Sequence, residues 1–256
     1  MILEEAFATG STPFHRRDAR VKIIGGAAIS LVLALAPSFQ VAALGCLATG
    51  TLLLFSRPDP RLLLRRLLTV NIFTFFLWLT LPLTYGGEEM LPFGFLSVSV
   101  EGLRVAGLIT LKTNGILFCF LALLATSSTA SLGHGLEKLG VPPKLTFLLL
   151  FSYRQLFVIH QEFQRLQRAA ALRGFHPTNS LHTYRTYSHL FGMTLVKSWN
   201  RSQRIHQAMV LRGFSGRLIP LDQPRLVGRD YLFLTGLLLI GLLLALLSLS
   251  PLVPIS

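Results

Sequence analysis

Apolar residues in this chain run in long blocks separated by short polar stretches, and the block lengths set the first expectations. Spanning a bilayer as a helix takes about 20 mostly apolar residues, with about 17–25 tolerated. Five blocks qualify, at roughly residues 20–37, 39–56, 67–84, 104–126 and 231–249. The first two are predicted to form a hairpin around Pro37 and Ser38, with Gly25, Gly26, Ala27 and Gly45 letting the backbones approach. The residues before the first block are polar and no cleavage pattern follows it, so it reads as a retained span. A sixth block, residues 145–160 (LTFLLLFSYRQLFVIH), is shorter and contains Arg154. It is read as the start of a long amphipathic helix, because Leu149, Leu156, Phe163 and Ala170 recur every seven residues. Pro142 and Pro143 precede that helix, where proline opens a helix without breaking it. Gly174 closes it, and Pro177, Asn179 and Ser180 make a turn. A second helix is predicted over 181–212 and closed by Gly213, followed by a polar connector over 214–229 with Pro220 and Pro224. The expected regions are a four-helix membrane part over 1–130, a region of long helices over 131–229 and a last span over 230–256.

Composition agrees with a bilayer as the solvent. Hydrophobic residues make up 52% of the chain and charged residues only 14%, where a soluble domain averages about 25% charged. An all-α integral membrane protein with about five spans is the predicted fold class. The net charge is +13, which by itself suits either nucleic acid or a membrane surface. Placement decides between them. Fourteen of the 24 basic residues lie in 131–229, four in 1–22 and four in 57–66, while the loop 85–103 has none. With five spans those three segments fall on one side, which the positive-inside rule assigns to the cytoplasm. The expected location is the cell (plasma) membrane, with the N-terminus and the helical region cytoplasmic and no nucleic-acid partner.

Catalytic chemistry finds little support. No Gly-x-x-x-x-Gly-Lys-Ser/Thr loop is present, and Gly133-His134-Gly135 lacks the lysine it would need. Cys46 and Cys119 sit in apolar runs without metal-ligand spacing and read as small packing residues. The histidines, at 15, 134, 160, 176, 182, 189 and 206, all fall outside the predicted spans, and His182 and His189 have no acidic or cysteine companion at ligand spacing. No metal site is expected. Lipid-head-group enzymes usually cluster Asp or His at the membrane boundary, but Asp18, Asp59, Asp222 and Asp230 are isolated. A self-sufficient permease predicts polar groups lining the spans, and only Asn71, Lys112 and Asn114 are candidates. Lys112 reads either as snorkelling or as paired with a helix of another subunit.

An internal repeat points elsewhere. Residues 164–175 read QRLQRAAALRGF and residues 203–214 read QRIHQAMVLRGF, 39 residues apart with seven of twelve positions identical. A single Leu-Arg-Gly is a well-made helix end, since arginine complements the helix dipole and glycine accepts a left-handed cap. Two copies with matching upstream residues need more than capping. A two-fold symmetric partner presents the same groove twice, and one asymmetric chain that fills both grooves needs two similar knobs. Arg173 and Arg212 suit such knobs through their planar forks, and Phe175 and Phe214 offer anchor area beside them.

These residues resemble a known family: the transmembrane coupling subunit, or T component, of energy-coupling factor (ECF) transporters, in its cobalt/nickel (CbiQ-like) branch. The resemblance spans nearly the whole chain. Asp18-Ala19-Arg20-Val21-Lys22 is similar to the family's Arg-x-Lys lead-in to the first span. Leu136-Glu137-Lys138-Leu139-Gly140-Val141-Pro142 resembles its Leu-x-x-Leu-Gly-x-Pro entry, Tyr153-Arg154 its Tyr-Arg pair, and Glu162 its acidic position. The segments Leu172-Arg173-Gly174 and Leu211-Arg212-Gly213 align with its two Ala-Arg-Gly signatures, with leucine in place of the usual alanine. The resemblance implies a non-catalytic subunit. A dimer of cytoplasmic ATPases, which bind the ATP and Mg, would receive Arg173 and Arg212, with Tyr153, Arg154, Glu162, Phe175 and Phe214 supporting. Motion would pass to a separate substrate-binding membrane subunit that supplies the metal ligands.

Overall fold

The computed structural model describes residues 17–56, 58–84, 90–93, 96–214 and 228–249. Arg16, Arg57, Glu88, Glu89 and the connector after Phe214 lie outside them. The described chain is helical apart from one hairpin: α1 (Ala19–Leu35), α2 (Phe39–Ser56), α3 (Pro60–Thr84), β1 (Met90–Phe93), β2 (Leu96–Ser99), α4 (Val100–Leu123), α5 (Thr129–Lys138), α6 (Pro143–Leu172), α7 (Leu181–Leu211) and α8 (Gly228–Leu249). Helices α2, α3, α4 and α8 are long and apolar enough to cross a membrane. At 17 residues α1 reaches the lower limit of a span, and α6 is not among the crossing candidates. The chain is an all-α multi-pass membrane protein. Antiparallel strands β1 and β2, with Met90 opposite Ser99, occupy a stretch where the block pattern predicts loop, and the short helix α5 stands between the fourth block and α6.

Among the described residues the chain divides into two compact units, one of residues 139–214 and the other of the rest. In the membrane unit α4 is the central helix, packing along α2, α3 and α1, while α8 lies along α1. Lipid is as apolar as leucine, so helices associate there through close packing and hydrogen bonds. Small residues on α4 provide the close packing. Gly115 lies against the backbone of Cys46, and Gly107 faces the Phe39 ring. Gly102 meets the Leu81 carbonyl and Pro82, where a methyl group would sit 2.8 Å from backbone atoms of α3. Backbone cannot rotate away as a side chain can. Gly102→Ala is therefore expected to cost about 1–3 kcal/mol and lower the thermal midpoint in detergent. Gly107→Ala, which meets only a ring edge, should cost much less, and equal losses would refute this account.

The glycines of α1 serve other contacts than the predicted hairpin. Gly25 seats Leu237 of α8, and Gly26 packs beside Leu123 of α4. Only Gly45, beneath Leu33, works between α1 and α2. Ile29, Leu33, Leu53, Cys119, Leu121, Leu123 and Leu237 form the resulting core. Outward faces such as Ile72, Phe73 and Phe75 remain about 70% exposed, as expected of surfaces that meet acyl chains.

Polar pairs stitch the spans. Asn71 and Asn114 exchange amide hydrogen bonds at 3.1 Å between α3 and α4, and Trp78 Nε1 donates to Thr110 Oγ1 at 2.8 Å. Each such bond within lipid contributes about 0.6 kcal/mol. Lys112 Nζ donates to the Ala34 carbonyl at 3.1 Å, so its charge sits at the C-terminal dipole of α1. Lys22, counted above among the flanking charges, is fully buried. It donates to Ser127 Oγ at 2.7 Å and Thr126 Oγ1 at 3.3 Å, tying the start of α1 to the end of α4. Beside it Asp18 caps α1 by accepting from the Arg20 N–H, and Arg17 pairs with Asp230 at 3.4 Å to bring in the start of α8.

Candidate functional site

The second unit is built on α6 and α7. Pro142 and Pro143 start α6 because a first-turn proline has no N–H to waste. Ser180 caps α7 by accepting from the Thr183 N–H. Both helices end in the same way, as the repeat predicts. Gly174 and Gly213 take φ of +81° and +73°, the left-handed region that glycine enters without steric cost. The Phe175 N–H donates to the Ala170 carbonyl and the Gly174 N–H to Ala171; the Phe214 N–H donates to Met209 and the Gly213 N–H to Val210. These are two Schellman caps. Arg173 and Arg212 precede the glycines with nearly equal backbone angles, φ −91°, ψ 16° and φ −90°, ψ 10°.

At each tip the side chains point away from the unit. Leu172 is 90% exposed and Leu211 88%. Arg173 and Arg212 are exposed as well, and neither guanidinium has a hydrogen-bond or ion-pair partner among the described residues. A folded chain has no internal use for a leucine and an arginine displayed in this way, twice over. Phe175 and Phe214, predicted as anchors beside the arginines, turn inward. Phe175 packs edge-on to Tyr187 at 5.8 Å, and Phe214 lies 5.1 Å from Phe147. They brace the tips, while Leu172 and Leu211 are the apolar groups that stay exposed there.

The contacts relate α6 and α7 by an approximate two-fold. The tip of α7 is braced near the start of α6 and the tip of α6 near the start of α7, so the helices run antiparallel with one tip at each end. Phe163 and Phe191 stack at 4.9 Å between the helices. Adding the repeat offset of 39 to Glu162 gives Arg201, and these two side chains meet at 4.0 Å. Each tip then lies eleven residues beyond this point, about 16 Å of helix.

Glu162 is half-buried at the crossing. Its carboxylate accepts from Lys197 Nζ at 2.6 Å and has Arg165 at 3.7 Å beside it. The Lys197 hydrogen bond, helped by the charges of Lys197, Arg165 and Arg201, holds the carboxyl below the usual glutamate range. A depressed acid stabilises the fold above its ordinary value, about 4.3, and loses that contribution as pH falls through the lowered one. Trp199 lines the cleft beside Glu162. Its emission in a Trp78→Phe background should stay constant from neutral pH down to about 4.3 and change only below. A transition centred near neutrality would contradict the assignment.

Tyr153 stands edge-on to Phe157 at 5.2 Å, and Arg154 lies over the Phe151 ring at 5.6 Å. Both therefore belong to the α6 half of the crossing rather than to the tips. The predicted heptad face is shared: Phe163 packs on α7, while Leu149 and Leu156 stay about half exposed. A cleft of about 520 Å³ beside the crossing is walled by Phe151, Leu156, Ile159, Leu195 and Trp199. A second hollow, of about 560 Å³, sits at the base of the first tip among Arg173, Phe175, His182 and His189. Sequence reasoning passed over Lys197, Arg201 and Phe191. A signal was present for the two cations, because Glu162 is the sole acidic residue in 139–214. Among the described residues, no three of His, Cys, Asp and Glu gather where they would hold a metal ion.

Comparison with known proteins bears on this arrangement. The profile of the CbiQ family, described as cobalt transport protein, matches residues 10–221. An energy-coupling factor transporter transmembrane protein EcfT from Heliobacterium modesticaldum is 25% identical over 86% of this chain and 87% of its own length. An uncharacterized protein of Methanocaldococcus jannaschii is 21% identical over 81% of this chain and 79% of its own. The nickel permease LarQ of Lactiplantibacillus plantarum is 31% identical over 43% of this chain and 39% of its own.

Proposed function

Because the chain belongs to the CbiQ cobalt transport protein family, we propose that it is the transmembrane coupling subunit of an ATP-driven importer of the energy-coupling factor type, carrying cobalt or nickel ions. The observation that carries this reading is the pair of matched tips. Arg173 with Leu172, and Arg212 with Leu211, are displayed on identical caps and related by an approximate two-fold. That is the shape required to fill two equivalent grooves of a dimeric partner. The partner is a dimer of cytoplasmic ATPases, which binds ATP and Mg and performs the hydrolysis. The distribution of basic residues supports a cytoplasmic face for α6 and α7.

In this reading the chain does no bond chemistry. Closure of the ATPase dimer on ATP moves its two grooves, and each groove carries a helix tip with it. Because the tips are braced by Phe147–Phe214 and Phe175–Tyr187 contacts, the displacement is passed along α6 and α7 as rigid-body motion. It reaches a separate membrane subunit that binds the metal ion. The cobalt/nickel assignment follows the family's description and the nickel permease named among the relatives.

Co-purification in mild detergent tests the proposal. Expressed with a candidate ATPase pair and substrate-binding subunit, the chain should retain both, and cells carrying all components should take up cobalt or nickel in an ATP-dependent manner. Uptake by this chain alone would overturn the reading in favour of a self-sufficient permease.

A further inference from the structure

Between Leu139 and Phe214 the sequence holds ten lysines and arginines and a single carboxylate, Glu162. Two helices so rich in one sign repel each other along their length. Yet α6 and α7 cross closely enough for Phe163 and Phe191 to stack. Glu162 lies at that crossing, not at an end, and collects cations from both helices: Arg165 from its own, Lys197 and Arg201 from the other. Its position in the repeat is informative. A residue near a two-fold faces its own repeat mate, and like charges there would oppose closure. The two copies have diverged at this position to glutamate and arginine, so the mates attract.

We propose that Glu162 is a positioning residue: the one carboxylate between Leu139 and Phe214 pins the α6–α7 crossing and thereby fixes how far apart, and at what angle, Arg173 and Arg212 stand. It touches no partner itself. A rigid partner dimer has one groove spacing, and a pair of tips held at that spacing binds without first being ordered. The importance of Glu162 to ATPase binding rests on the function proposed above; its role in setting the crossing does not.

The experiment measures the tips directly. Spin labels are placed at Ala171→Cys and Val210→Cys, exposed positions related by the repeat offset, in a chain with Cys46→Ala and Cys119→Ala. Their distance distribution is recorded by pulsed electron resonance, and ATPase retention is measured on the same variants. The chain with Glu162 should give one narrow distance. Glu162→Gln, which keeps the shape and removes the charge, should broaden or shift it and weaken ATPase retention by roughly two- to tenfold, the range of a partly exposed ion-pair network. Lys197→Gln, a change on the exposed partner, should do the same, and the double variant should be no worse than either single one. Glu162→Asp should restore part of the narrow distribution. An unchanged distance in both Glu162→Gln and Lys197→Gln overturns the proposal. So does a broadened distance with full ATPase retention, because the spacing would then not matter. If the parent chain gives a narrow distance but never retains an ATPase, the coupling function fails and the crossing role stands.

Discussion

A chain carrying both Arg173→Glu and Arg212→Glu is expected to insert and fold normally and to lose its ATPase partner. Folding is spared because neither guanidinium has a partner among the described residues and both positions have ordinary right-handed backbone angles. The change does place an acid at the negative end of each helix dipole, a penalty of about 0.3–1 kcal/mol per site at the surface. Binding is hit far harder. Removing one member of a buried, hydrogen-bonded charge pair costs about 2–5 kcal/mol. Reversal also adds repulsion from whatever carboxylates or helix-end carbonyls received the arginine. One reversal should therefore weaken retention by at least about 30-fold, and two should abolish it. Co-purification with size-exclusion profiles separates the outcomes. A monodisperse double variant that still holds the ATPase would reduce the tips to capped helix ends. Leu172→Ala with Leu211→Ala should give an intermediate loss, since these are the exposed apolar anchors.

The second large effect is on folding. Lys22→Glu should leave little correctly folded protein. Lys22 is fully buried, its ammonium held by Ser127 and Thr126, and Asp18 lies close enough to interact with it electrostatically. A glutamate there would face Asp18, whose second carboxylate oxygen is buried and has no hydrogen-bond donor among the described residues. An uncompensated buried charge of this kind costs about 3–5 kcal/mol, a large part of a domain's total stability of about 5–15 kcal/mol. Lys22→Met keeps length and packing and strands only the hydroxyls and Asp18. It should cost about 1–3 kcal/mol and yield folded protein with a lowered thermal midpoint. Detergent-solubilised yield and melting temperature check both variants, and a Lys22→Glu chain as stable as Lys22→Met would show that the charge at this position is immaterial.

Lys22 also shows where reading the sequence stopped short. In the charge map it is one of four basic residues in 1–22, and the Arg20-Val21-Lys22 lead-in marks it without saying what it touches. Its burial depends on Thr126 and Ser127, more than a hundred residues away. Lys112 is similar: its bond to the Ala34 carbonyl at the end of α1 joins residues 78 apart, and neither reading of the sequence contains it. The glycines of α1 were correctly marked as points of close approach, but their partners proved to be α8 and α4. A small residue announces that something comes near and carries no label for what. The phenylalanines of the repeat follow the same rule. Their recurrence was visible, and whether they faced a partner or their own helices was decided by Phe147 and Tyr187.

The sequence by itself determined the elements whose causes are local. Block length and composition decided that the chain is helical and lives in a bilayer, because the cost of exposing apolar blocks to water is paid residue by residue. Pro143, Gly174 and Gly213 decided where α6 and α7 begin and end, because proline and glycine act through their own backbone angles. The repeat established that the two ends would match. Tertiary structure alone decided that α4 is the central helix, that Lys22 lies inside, that α6 and α7 cross under an approximate two-fold, and that Glu162 meets Lys197 and Arg201 there. Those facts depend on which surfaces meet at long range. Many pairings of apolar faces are nearly equal in hydrophobic energy within lipid, so the choice falls to backbone fit at glycine and to a few polar partners, and these exist only once the chain has folded.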